Sequence, residues 1–164
     1  MSLLEICHWI ENTPSSIALR ESIWVFPILE TTHVIGLAFS VGTIFWFDVR
    51  LLGVGLRRYS VSETFDYVKP WMFGGFALMM ITGVVLFWAH AVDAYESGYF
   101  RVKLALLVLA GANIVAFHST IDRHRVSWDD LPVPPPRARF AGAVSLILWF
   151  GIVAVGRLMA YSLL

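Results

Sequence analysis

The stretch WMFGGFALMMITGVVLFWAHAV, residues 71–92, contains no Asp, Glu, Lys or Arg. As a helix it is long enough for the hydrocarbon core of a bilayer, which takes roughly 20 apolar residues to cross. Working outward, residues 104–121 and 140–156 are equally free of such charges, and residues 22–47 are interrupted by Glu30 alone. Four such segments predict an all-α fold: an integral membrane four-helix bundle, one transmembrane domain over residues 1–164, with spans at about 17–50, 70–92, 101–122 and 138–162.

Composition agrees. Of 164 residues, 58% are hydrophobic, more than a soluble domain carries, so little of the chain is left outside the spans and the lipid bilayer is its first partner. Lys and Arg together number 12, as do Asp and Glu, but the basic residues are unevenly placed. Arg50, Arg57, Arg58 and Lys69 fall between the first two spans and Arg123, Arg125, Arg137 and Arg139 between the last two; Arg20, Arg101, Lys103 and Arg157 fall on the other side. The positive-inside rule puts both loops in the cytoplasm and both termini outside, in the periplasm, for a multi-pass protein of a bacterial inner membrane. The same topology accounts for the basic residues, which are interleaved with acids, and nucleic acid is not an expected partner. No basic segment followed by a cleavable apolar core opens the chain, so no removable signal peptide is expected. A lone Cys7 has no internal disulfide partner and reads as a small apolar side chain.

Residues 2–12 read as a short amphipathic helix on the membrane surface, with Leu3, Leu4, Ile6, Cys7 and Ile10 on one side and Glu5, His8 and Asn12 on the other. Thr13-Pro14 is an N-cap followed by a first-position proline, starting a helix expected to run through Ala18 and Trp24 into the first span. Pro27 is expected to kink that span one turn before Glu30 and His33. The run of residues 131–136, LPVPPP, is an extended connector between hairpins. Small residues inside the spans, Gly36, Ser40, Gly75 and Gly83 among them, let helices approach closely.

Ionisable groups at membrane depth are costly and persist mainly where they act. At 1.5 Å per residue His33 lies about 22 Å from Asp48 at the inner end of its span, so the outer half collects Glu30, His33, His90, Lys103 and Arg157. His118 falls near the opposite end with Asp48, Arg50 and Asp122, and a metal bridging His33 and His118 would need a helix to shift by several turns. The outer cluster suggests a b-type haem, with His33 and either His90 or His118 as axial ligands and Lys103 and Arg157 on the propionates. The alternative is that Glu30 pairs with Arg157 while His33 hydrogen-bonds a neighbouring helix. Glu30-x-x-His33 is one copy of the carboxylate-bridged metal element, which needs two, so a di-iron centre is not expected. Copper or another metal is a further option, with ligands drawn from His8, His33, His90 and His118 and a contribution from Cys7. Met72, Met79 and Met80 read as packing.

At the inner end His118 and Asp122 share a helix face, where a carboxylate orients an imidazole for a ligand, for a proton or for a quinone head group. Arg50 and Asp48 point apart and reach other helices, and Asn113 is expected to hydrogen-bond between helices. There is no glycine-rich phosphate loop, no serine elbow and no His-Glu-x-x-His run, hence no independent catalytic motif.

Arg20-Glu21-Ser22, Trp24, Pro27, Glu30-Thr31, His33 through Gly36, then residues 48–53 (DVRLLG), and Phe100, Lys103, Asn113 and Phe117-His118 together resemble an uncharacterised family of small bacterial four-helix membrane proteins. The resemblance covers nearly the whole chain. It implies the four-helix fold and, as functional candidates, Glu30, His33, Arg50, Lys103, Asn113 and His118, with His8, His90 and His124 outside the motif. In general layout it is loosely similar to copper-resistance membrane domains and small membrane cytochromes b.

The expected function is that of a haem-binding membrane subunit, a non-catalytic part of an oxidoreductase, passing electrons between a quinone and a periplasmic redox partner. Metal handling or transport, and a structural anchor for a larger complex, are the alternatives; a homo-oligomer is compatible with each.

Overall fold

The computed structural model describes residues 2–162, and among them there is helix but no strand. Two short helices, α1 (Leu3–Glu11) and α2 (Pro14–Arg20), precede α3 (Val25–Leu52) and α4 (Val61–Ala89). The short α5 (Ala91–Glu96) leads into α6 (Gly98–Ala116), which continues through a π-helical turn, Phe117–Ile121, and a 3-10 turn, Asp122–Ser127; α7 (Pro136–Ser162) closes the chain. Four of these segments are long and apolar enough to cross a membrane, and the protein is a multi-pass membrane four-helix bundle. One face carries α1, α2 and α5, and is called here the terminal face; the other carries the loops around residues 53–60 and 128–135, the loop face.

Capping sets the helix starts. Ser2 and Glu5 form a capping box on α1, Thr13 with Pro14 opens α2, and Ser60 with Glu63 forms a second box on α4. The helix started by Pro14 does not run into the first span. It ends at Arg20, whose Nη1 reaches the Ala89 carbonyl at 2.9 Å and Glu11 at 3.3 Å, while Ser16 Oγ donates to the Trp88 carbonyl. These contacts lay α2 over the end of α4, and Ser22 Oγ, accepting from the Val25 amide at 3.1 Å, starts α3 afresh.

Pro27 therefore stands third in α3, within the first turn, where a backbone N–H has no intrahelical acceptor to lose. The proline inside a helix is Pro70 of α4. That helix begins well before the expected residue 70: its 29 residues span about 43 Å, more than the roughly 30 Å hydrocarbon core, so the turns bearing Asp66 and Lys69 extend beyond the apolar segment.

The four long helices pack in the order α4, α3, α7, α6. α3 is central, against α4 on one side and α7 on the other, and α7 packs on α6; α4 and α6 make no close backbone approach. The α3–α4 contact depends on glycine: a Cβ at Gly75 would lie 2.6 Å from the Ser40 nitrogen and 2.8 Å from the Gly36 oxygen. At the loop face the Arg50 side chain is completely buried, donating from Nε to the Tyr59 carbonyl (2.8 Å) and from Nη2 to those of Leu131 (3.0 Å) and Asp129 (3.3 Å). Asp129 also accepts from the Ser62 amide, so one arginine and one aspartate tie the two loops together.

Candidate functional site

In the half of the bundle toward the terminal face, α3 directs His33 at α4. His33 Nδ1 lies 2.9 Å from Thr82 Oγ1, and the Thr82 hydroxyl in turn bonds the Leu78 carbonyl of its own helix at 2.7 Å. With its proton given to that carbonyl, the hydroxyl oxygen is free to accept from His33 Nδ1, and the Met79 backbone is a further hydrogen-bond partner of the ring. Gly83 makes room for the ring, since a Cβ there would stand 3.2 Å from His33 Cε1. Lys103 of α6 is within electrostatic reach of His33, and its ammonium lies against Gly156 of α7, where a Cβ would be 3.8 Å from Nζ.

The other residues of the expected outer cluster are placed differently. Arg157 covers the Tyr161 ring at 4.8 Å and bonds its hydroxyl rather than Glu30, which is exposed. His90 caps the end of α4 with Nδ1 3.2 Å from Asp93 Oδ2 and its ring edge-on to Phe26. His8 is exposed on α1, above a buried Cys7. The structure thus gathers His33, Thr82 and Lys103 but does not bring His90 or His8 to them. Among the described residues no three His, Cys, Asp or Glu side chains come together as a metal site.

Toward the loop face a cavity of about 170 Å³ is enclosed by all four long helices. Its polar groups are Ser40 and Asp48 from α3, Ser145 from α7, Asn113 from α6 and His118 from the π-helical turn. Asp48 is 2% exposed and hydrogen-bonded by Ser145, yet its Oδ2 has no partner; Ser40 Oγ, fully buried, has none either. Asn113 Nδ2 is used in bridging α6 to the Ala141 carbonyl of α7 at 3.1 Å. His118 stands at the rim, Nδ1 3.0 Å from Asp122 Oδ2 and ring edge-on to Phe65 and Phe117.

Ser40, Ser145, Thr82 and Trp149 are the site residues that sequence reasoning passed over. The signal available for three of them was a ladder of one helix turn per step: Ser40, Ile44 and Asp48 on α3, and Ala141, Ser145 and Trp149 on α7, all lining the cavity.

A polytopic four-helix membrane protein with an oriented imidazole in one half and an unpartnered carboxyl oxygen in the other is the class that fold and site define. Within that class the chain belongs to a family of unknown function, DUF6644, whose model matches residues 24–162 and so takes in every long helix. No curated protein and no solved structure matches the chain.

Proposed function

We propose that the protein is the membrane subunit of an electron-transfer system, holding a b-type haem on His33 and passing electrons between a quinone of the bilayer and a redox partner at the terminal face. The observation that carries this reading is the His33–Thr82 hydrogen bond. A ligating imidazole is oriented by a hydrogen bond at one of its nitrogens, and Thr82 offers such a bond to Nδ1. Lys103, without a hydrogen bond or ion pair among the described residues, and Arg157 supply positive charge in the same half, as haem propionates require. When bound, the haem supplies the one-electron chemistry; the chain supplies the ligand, the apolar surroundings and the charge balance. His90, were the turn after α4 to release its bond to Asp93, would be the further residue to hold the haem.

The basic loop face lies in the cytoplasm and the terminal face in the periplasm of a bacterial inner membrane, by the distribution of Lys and Arg. A copper carrier has less support, because no three His, Cys, Asp or Glu side chains come together among the described residues.

The test is an ultraviolet–visible spectrum of detergent-purified protein from haem-replete cells, oxidised and dithionite-reduced, with metal analysis of the same sample. The expected result is a Soret band with α and β bands that sharpen on reduction, lost in His33→Ala and kept in His118→Ala. A colourless preparation overturns the haem reading, and copper at unit stoichiometry that depends on His33 replaces it with metal handling.

A further inference from the structure

The cavity beside Asp48 differs from the His33 site in depth, in lining and in access. Its floor is α3 and α7, where Asp48 Oδ2 and Ser40 Oγ are buried without partners. Buried polar atoms are almost always satisfied, so two orphans on residues that line one cavity point to a ligand that completes them. Its mouth is the seam where α4 and α6 fail to meet. Side chains close that seam at both ends, Phe87 stacking on Phe100 at 5.6 Å and Phe65 meeting His118 at 6.1 Å. Between these gates the cavity is lined by Phe73, Phe76 and Ile114, which are also 56%, 38% and 43% exposed on the outside of the bundle. In a membrane that outside is lipid, so the cavity opens sideways into the bilayer.

Size and chemistry narrow the occupant. An apolar cavity of about 150 Å³ accommodates a benzene ring, and at about 170 Å³ this one takes a single six-membered ring and is far too small for a porphyrin. The walls are aromatic and the polar atoms lie only at the deep end. A carboxyl group accepts from a hydroxyl, and a serine hydroxyl donates to a carbonyl, so the floor addresses the oxygen of such a ring in either its quinol or its quinone form. The π-helical turn that carries Phe117 and His118 to the rim is the kind of helix irregularity often found at binding sites.

We propose that this cavity is the quinone site: the ring sits beside Trp149, its oxygen is held by Asp48 and Ser40, and its isoprenoid tail leaves between α4 and α6 into the lipid. The identity of the ligand rests on the electron-transfer reading above, but its location does not depend on haem at His33.

The experiment is a titration of detergent-purified full-length protein with a short-chain ubiquinone analogue, followed by tryptophan quenching, with Trp149→Phe to assign the signal and with organic extraction of co-purified lipids. Saturable quenching that is largely lost in Trp149→Phe is expected, with binding at least about tenfold weaker in Asp48→Ala. Ile114→Trp, which plugs the lipid-facing mouth without touching the floor, is expected to weaken it similarly and serves if Asp48→Ala does not fold. Absence of saturable quenching, affinity unchanged in the variants, or extraction of phospholipid and detergent only each overturns the proposal. A colourless protein that still binds the analogue in this way leaves the quinone site standing and removes the haem alone.

Discussion

The imidazole Nδ1 of His33 and the hydroxyl oxygen of Thr82 stand 2.9 Å apart across the α3–α4 contact, and the same hydroxyl bonds the Leu78 carbonyl within α4. The bond holds the His33 ring in its orientation against α4. Thr82→Val keeps the shape and removes the acceptor. It is expected to cost about 0.5–1.5 kcal/mol of stability, the usual worth of one such bond, and to broaden or shift any Soret band, whereas Thr82→Ser keeps both. Thermal unfolding in detergent and the absorption spectrum report the two effects.

The α3–α4 contact gives a sharper steric contrast between adjacent glycines. A methyl group at Gly75 would be driven to 2.6 Å from a backbone nitrogen of α3, while one at Gly74 meets nothing within 4 Å. Gly75→Ala has to push the helices apart and is expected to destabilise by roughly 1–3 kcal/mol. Gly74→Ala is expected to be neutral or slightly stabilising, because alanine favours the helix. Melting both variants side by side checks this, and equal melting temperatures would refute the close approach.

Arg50 is expected to be a structural residue. Its buried guanidinium serves three loop carbonyls, so Arg50→Ala strips those of Tyr59 and Leu131 of this donor, leaves that of Asp129 to the Val61 amide, and should cost about 2–5 kcal/mol. Arg50→Lys is expected to rescue little, because one ammonium cannot reproduce a fork that reaches in two directions. Limited proteolysis should find new cleavage within residues 53–60 and 128–135, where those carbonyls lie.

Much of this was legible in the sequence because hydrocarbon thickness imposes long apolar windows, and the four spans follow from counting charge-free residues. Their ends were not, because they depend on tertiary contacts. The break between α2 and α3 is held by Arg20 on the Ala89 carbonyl, and α4 starts early because Ser60 caps it, though Asp66 and Lys69 break its apolar run. His33 stands out at membrane depth by residue type alone. Its partner does not, since threonines in apolar helices commonly bond their own preceding turn, as Thr31 and Thr32 do here. Asp48 was visible as an ionisable residue, but its cavity follows from the packing order of the helices and the π-helical turn, which no local pattern encodes.

Lys103 separates a structural from a redox role in the terminal half. It lies half-buried against Gly156 without an ion pair among the described residues, and a lysine at membrane depth is a cost that lessens toward the membrane surface. Lys103→Met removes that charge and keeps the stem, so cofactor-free protein is expected to gain stability on the order of 1 kcal/mol. If haem binds as proposed, the same change would withdraw a positive charge that favours the reduced iron, and the midpoint potential would be expected to fall. Redox titration beside thermal unfolding tests both signs: a more stable protein with an unchanged potential would place Lys103 away from the cofactor, and a lower potential would place it at the propionates.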